Sequence, residues 1–249
     1  MWPTAVTDID EGAIYVRGVP IERLMKEHSF GETLALLFSG RMPDDVESQI
    51  IEAVLVLAID HGATSPSALT ARTVVSGGAS PEVAATAGLL ALSKYHGSAV
   101  QGSARLLDSI VSADPSLSLD ERAQNEVDRQ LIAGERIPGF GHRVHSKDPR
   151  TAALLELAAR LGHDHAYIDA AYAVERAVRK SLGRPLPMNL DTGIASVLLP
   201  FIPVEMVLGV FMASRFCGVF MQASEESFRM KPMRKIVPGE WSYDGPAHS

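Results

Sequence analysis

Apolar side chains recur at helical spacing through almost the whole chain, and no segment sustains the two-residue alternation of a half-buried strand. Phe30, Leu34, Leu37 and Phe38 mark one helix, which Gly40 and Pro43 stop. The segment 46–60 is apolar at Ile50, Ile51, Val54, Leu55, Leu57 and Ala58, a girth that predicts a buried helix ending near His61 and Gly62. Further helical patterns run through 81–95, 98–111, 119–134, 148–162, 167–182, 192–199 and 204–224. The fold class that follows is all-α. Loops between these patterns are short, with no flexible linker, fixed-period repeat or low-complexity tract, so the chain reads as one cooperative unit. From Phe228 onward, Arg, Lys, Pro and Gly predict a non-helical tail.

Composition narrows the function classes. With 249 residues and 46% hydrophobic side chains, the chain can bury one large core or two unequal lobes that share it. A net charge of -7 argues against a nucleic-acid footprint, so any anionic ligand must meet locally placed Arg and Lys. The single Cys217 excludes an intramolecular disulfide and is expected to be a small buried hydrophobe. No secretory signal opens the sequence, and the expected compartment is the cytoplasm. The apolar stretches 194–204 and 206–221 are cut by Pro200, Pro203, Gly209, Arg215 and Gly218, so no membrane span is expected.

Four short segments place ionisable side chains at helix ends or in Gly-rich turns: Asp60-His61-Gly62, Tyr95-His96-Gly97-Ser98, Pro138 to Val144, and Asn189-Leu190-Asp191-Thr192-Gly193. Singly, each has a plain structural reading. A His before Gly suits a helix C-terminus, and an Asp at a helix start suits an N-cap. Together they supply what proton transfer next to a thioester needs: a carboxylate base and imidazole donors for developing oxyanions. The Gly139-Phe140-Gly141 turn would also let backbone N–H groups approach a flat or anionic ligand. His61, His96 and His142 lack helical ligand spacing and sit beside no thiolate, so no metal is expected.

Gly139-Phe140-Gly141-His142-Arg143-Val144 followed by Lys147-Asp148-Pro149-Arg150 resembles the GxGHxV turn and Asp-Pro-Arg of the citrate synthase superfamily. The same order is kept by Asp60-His61-Gly62 with 67–72 downstream, by His96-Gly97, by Asn189-Leu190-Asp191, by Ser214-Arg215 with Gly218, and by Tyr243-Asp244-Gly245. The resemblance runs from about Thr4 to Gly245 and is closest to the short citryl-CoA lyase type, the module also found at the C-terminus of ATP-citrate lyase. It implies a larger helical lobe of residues 1–97 and 195–249, a smaller one of 98–194, and a homodimer or higher assembly. A separate acyl-CoA ligase is a partner it also allows.

The implied activity is cleavage of citryl-CoA, or a close analogue, to acetyl-CoA and oxaloacetate. The coenzyme A thioester is then substrate, with no tightly bound cofactor. His96 is present in synthases but absent from the lyase module of ATP-citrate lyase, so the direction stays open: condensation of acetyl-CoA with a 2-keto acid is the first alternative, and a non-catalytic coenzyme A-binding subunit the second. Carried over by resemblance, Asp191 exchanges the α-proton of the acetyl group, His96 hydrogen-bonds the thioester enolate, and His142 serves the keto or hydroxyl oxygen. His61, Arg150 and Arg215 bind carboxylates. Pro138, Gly139, Phe140, Gly141, Arg143 and Lys147 hold coenzyme A.

Plain structural readings stand beside these. Asp148 suits an N-cap with Arg150 merely solvated, and Arg215 could pair with Glu205 or Glu225. His28, His145, His163 and His165 read as surface residues, and Met206, Met212 and Met221 as core or dimer packing. One departure concerns the family's arginine before a C-terminal proline. Here Val237 precedes Pro238, and Arg234 or Lys235 is left to replace it.

Overall fold

The computed structural model describes residues 2–141, 148–234, 240 and 242–245. Among them are eleven α-helices, and three short strands that the sequence pattern did not reveal. Strands β1 (Thr7–Asp10), β2 (Ala13–Val16) and β3 (Val19–Pro20) form an antiparallel meander in that order, with Ile9 opposite Ile14. The last hairpin has the two-residue loop Arg17-Gly18, with φ of 48° and 80°, the double positive φ that matches strand twist. Arg17 is held there by its own side chain, whose Nε and a terminal amine donate to Leu37 O at 3.2 and 3.1 Å. Four-residue strands with Ile9 75% exposed carry no alternation to read.

The chain divides into two units, residues 1–59 with 93–215, and 60–92 with 216–249. The lobes expected from the sequence follow a different division. The first unit continues after the meander with α1 (Ile21–Glu27), α2 (Phe30–Ser39) and α3 (Asp45–Ala58). Ser29 with Glu32, and Asp44 with Glu47, form capping boxes that start α2 and α3, and Gly40 in the left-handed conformation ends α2. Further along come α6 (Ala99–Val111), α7 (Leu119–Ile132), α8 (Pro149–Leu161), α9 (Ala166–Leu182) and α10 (Leu190–Leu198). In α10 the only residue of nine that is not buried is Asp191. A helix apolar on every side can be accommodated only at a centre, and α3, α6, α8 and α9 all pack on it.

The second unit is built differently. Its helices α4 (Pro66–Ser76) and α5 (Pro81–Leu90) pack with the C-terminal part of α11 (Val207–Arg229) around Ala71, Val75, Ala84, Ala85, Val219 and Ala223. These small side chains let backbones come close. A Cβ on Gly88 would lie 2.7 Å from Ser67 O and 2.6 Å from Val219 Cγ1. The helix expected over 81–95 ends at Leu90 because the chain turns, and Ser93 and His96 then exchange both backbone hydrogen bonds at 2.7 and 2.8 Å.

Several expectations need correction. The stretch read as too interrupted to span a membrane forms continuous helix from Val207, after a single 3₁₀ turn at Val204–Met206. Among the described residues, 204–229 is the one stretch long and apolar enough to cross a membrane. Gly209 does not break it, because it is the contact where Phe38 lies against the helix, 2.8 Å from where a Cβ would stand. Cys217 is exposed, not buried; Met206 and Met221 are also exposed, so of their two readings the core one falls and dimer packing is left. His163 is buried, with Nε2 2.8 Å from Val197 O, because its ring satisfies a carbonyl near the end of α10.

Candidate active site

Asp191 enters the first turn of α10 without the duty of capping it. Asn189 is the cap: its Oδ1 accepts the backbone N–H of Asp191 at 2.9 Å and of Thr192 at 3.4 Å. The carboxyl group of Asp191 is crowded by protein although the residue retains some accessible surface. Burial pushes its pKa up to about 6; the guanidiniums of Arg215 and Arg150 pull it down, and the Asp148 carboxylate adds to the rise.

The Gly-rich turn is fastened to the same helix start. Gly139 O accepts from Asn189 N–H at 2.9 Å and from Thr192 Oγ1 at 2.8 Å, Gly141 N–H donates to Pro187 O at 2.8 Å, and Asn189 Nδ2 donates to Gly141 O at 3.4 Å. A Cβ on Gly139, whose φ is +77°, would stand 2.0 Å from both Ser103 Oγ and Thr192 Oγ1. Only glycine fits. The hydroxyls of Ser103 and Thr192 are themselves hydrogen-bonded at 3.0 Å. Sequence reasoning assigned neither residue a role, since a hydroxyl within an apolar helical pattern carries no signal of its own.

From α8, Asp148 caps the helix by accepting the Arg150 N–H at 3.0 Å, and it also grips the Arg150 side chain at 3.1 and 2.9 Å. The cap reading is thus right for Asp148, while Arg150 is ion-paired and not merely solvated. Thr151 brings α8 against α10, its Cγ2 3.0 Å from the position a Cβ on Gly193 would take. Arg215 is 4% exposed; its Nε donates to Ala58 O at 2.7 Å and its guanidinium stacks 4.6 Å from the Phe211 ring centroid. Ser214 Oγ donates to Leu55 O beside it. A guanidinium at the C-terminus of α3 meets the negative end of that helix. Glu225 is held instead by Arg72 and Arg229.

The first unit therefore gathers Asp191, Asp148, Arg150 and Arg215, and fastens the Gly139–Gly141 turn to the start of α10. His96 belongs to that unit too, partly buried in the turn before α6, next to Gly97 at φ +81°. His61 belongs to the second unit, where Asp60 Oδ2 accepts the Gly62 N–H at 3.1 Å. Arg234, considered as a substrate-binding arginine, forks Glu226 within its own unit. His142, Arg143, Lys147, Lys235, Val237 and Pro238 lie outside the described residues. No group of three or more His, Cys, Asp or Glu among the described residues could hold a metal ion. A cleft of about 320 Å³ lined by Arg41, Asp108, Tyr167 and 199–204 contains none of the site residues.

A carboxyl group with a pKa near neutrality can give or take a proton at physiological pH, and two nearby guanidiniums suit a carboxylate ligand. Comparison with known proteins then identifies the fold. The citryl-CoA lyase of Hydrogenobacter thermophilus superposes with a TM-score of 0.91 at 31% identity, over 100% of this chain and 96% of that one. The ATP citrate lyase of Methanothrix soehngenii, in complex with citrate and coenzyme A, shares the fold at a TM-score of 0.84 and 19% identity, over 99% of this chain and 42% of that one. The putative citrate synthase 2 of Mycobacterium tuberculosis is 32% identical over 244 residues, 94% of this chain and 61% of that protein. This chain thus spans less than two thirds of that relative's length. Since the citrate synthase C-terminal domain matches residues 41–236, this mostly helical chain belongs to the citrate synthase family.

Proposed function

We propose that this chain cleaves citryl-CoA, or a close analogue, to acetyl-CoA and oxaloacetate. The observation that carries the proposal is Asp191: a crowded carboxyl with its pKa near 6, delivered by the helix start that also pins the Gly-rich turn, with Arg150 and Arg215 acting on its charge. In cleavage, the hydroxyl of the citryl group loses its proton, the carbon–carbon bond breaks, and the electron pair passes to the thioester enolate. Asp191 gives the proton that converts the enolate into the acetyl methyl group. His142 takes the hydroxyl proton, and His96 donates to the enolate oxygen. His61, Arg150 and Arg215 hold carboxylates, while Pro138, Gly139, Phe140, Gly141, Arg143 and Lys147 hold coenzyme A, the substrate thioester; no tightly bound cofactor takes part.

Condensation of acetyl-CoA with oxaloacetate is the second reading, favoured by the 32% identity to a putative citrate synthase. The proposal includes a homodimer in the cytoplasm, supported by exposed Val83, Leu90, Phe216, Met221 and Phe228, more apolar surface than an isolated protomer should leave in water. It also includes a larger lobe of 1–97 with 195–249 and a smaller one of 98–194, and an acyl-CoA ligase as the supplier of citryl-CoA. Acetyl-CoA and oxaloacetate released from citryl-CoA, measured beside thiol release from acetyl-CoA plus oxaloacetate, test the activity and its direction. Neither product above background from purified, folded protein would leave the non-catalytic coenzyme A-binding subunit as the reading.

A further inference from the structure

In the unit of residues 60–92 and 216–249, ion pairs and one amide make a continuous chain from the C-terminal segment to the His61 turn. Glu226, on the last turn of α11, is 2% exposed and carries two guanidiniums. Arg234 Nε donates to Oε1 at 2.7 Å while its terminal amine donates to Oε2, and Arg72 Nε lies 2.9 Å from Oε2. Arg72 donates onward, to Glu225 Oε2 at 3.1 Å and to Gln222 Oε1 at 2.8 Å. Gln222 Nε2 donates to Asp60 Oδ2 at 3.2 Å, the oxygen that also accepts the Gly62 N–H.

The amide is the informative member. A guanidinium has donors only, so Arg72 fixes the Gln222 oxygen toward itself and leaves the amide nitrogen facing Asp60. The polarity set at Arg72 is thus handed to the turn that holds His61 between Asp60 and Gly62. At the other end, Arg234 N–H donates to Ser76 Oγ and Met233 N–H to Ser76 O, each at 2.7 Å, which fastens the described end of the segment to α4. A cluster that served stability alone would need only the charges and could dispense with the amide.

We propose that Arg72, Gln222 and Glu226 are positioning residues for His61, and that Arg234 couples their geometry to the seating of residues 233 and 234 on Ser76 of α4. The kinetic part rests on the reading of His61 as a substrate carboxylate ligand. Gln222→Glu keeps shape and the bond to Arg72, but it loses the donor and sets a negative charge against Asp60. The Michaelis constant for citryl-CoA should rise about tenfold with kcat within about threefold, and the His61 imidazole resonance of the full chain should move. Gln222→Met removes both bonds without adding charge and should move the same resonance. Arg234→Gln should act in the same direction through a smaller rise, about threefold. Arg72→Lys should raise the Michaelis constant and move the His61 resonance as the Gln222 variants do, because one ammonium cannot reproduce the fork. An unmoved His61 resonance in the Gln222 variants and in Arg234→Gln overturns the inference. A moved resonance with an unchanged Michaelis constant keeps the relay and removes His61 from substrate binding.

Discussion

The two units hold themselves together by different means. In the first, α10 fills the centre with Ile194, Val197 and Leu198, and neighbouring helices supply Ile50, Leu107 and Leu154. In the second, alanines bring α4, α5 and α11 into near-backbone contact, and the buried polar part of the fold is an ion-pair network around Glu226. A core of large side chains tolerates little displacement, so the Asp191 carboxyl built on it inherits fixed geometry. A small-residue core with a charged network is held instead by directional bonds, which one substitution can rearrange without opening a cavity.

The sharpest test separates chemistry from stability. Asp191→Asn should lower turnover by about 10²–10⁴ while coenzyme A still binds. Its stability effect has a defined sign. A folded-state pKa of about 6, raised by burial from 3.8, means that the protonated form is favoured in the folded state. That contribution is fully present below pH 3.8 and is lost as pH rises through 6. The Asn variant should therefore lose this pH dependence and melt no lower than wild type at pH 7, as calorimetry across pH 4–8 would read. Near-wild-type turnover would remove Asp191 from the mechanism.

Next in size, Leu198→Ala should cost about 3–4 kcal/mol, with hydrogen exchange accelerating through α10 and its neighbours. Glu226→Gln should cost about 3 kcal/mol by leaving Arg72 and Arg234 without their shared anion, with exchange accelerating in α4 and the end of α11 and not in α10. Equal acceleration in both units would dissolve the distinction drawn between them. Gly88→Ala should cost roughly 1–2 kcal/mol, since the new methyl meets the Ser67 carbonyl. A stabilised Gly88→Ala protein would show that the small-residue core has room.

Helices with wide apolar faces were legible in sequence, most of all α3 and α10. Helix α4 was not, because Ser67, Ala68, Ala71 and Arg72 are buried without an apolar period: its burial comes from small side chains and a paired guanidinium. The meander escaped because a two-residue turn on Arg17 replaces the usual Asn-Gly signal. At the candidate site, the motif singled out Asp191, Arg150 and Arg215, and the structure sets both guanidiniums where they act on the charge of the Asp191 carboxyl. What sequence could not apportion was labour within Asn189-Leu190-Asp191, where either polar residue could cap. Only the observed bonds assign that role to Asn189 and leave the aspartate for other work. The Gln222 link was invisible for a simpler reason: it joins residues 162 apart in sequence.

The buried guanidinium of Arg215 also bears on the helix that carries it. By length and composition alone, the segment 204–229 meets the criterion for a membrane-spanning helix. A positive charge in its middle raises the cost of lateral insertion by about 2.5–3.5 kcal/mol. In the folded chain the same charge rests on the Ala58 carbonyl and the Phe211 ring. Arg215 thus makes this apolar helix costlier to place in lipid than its composition alone suggests, while the fold gives its charge a carbonyl and a ring to rest on.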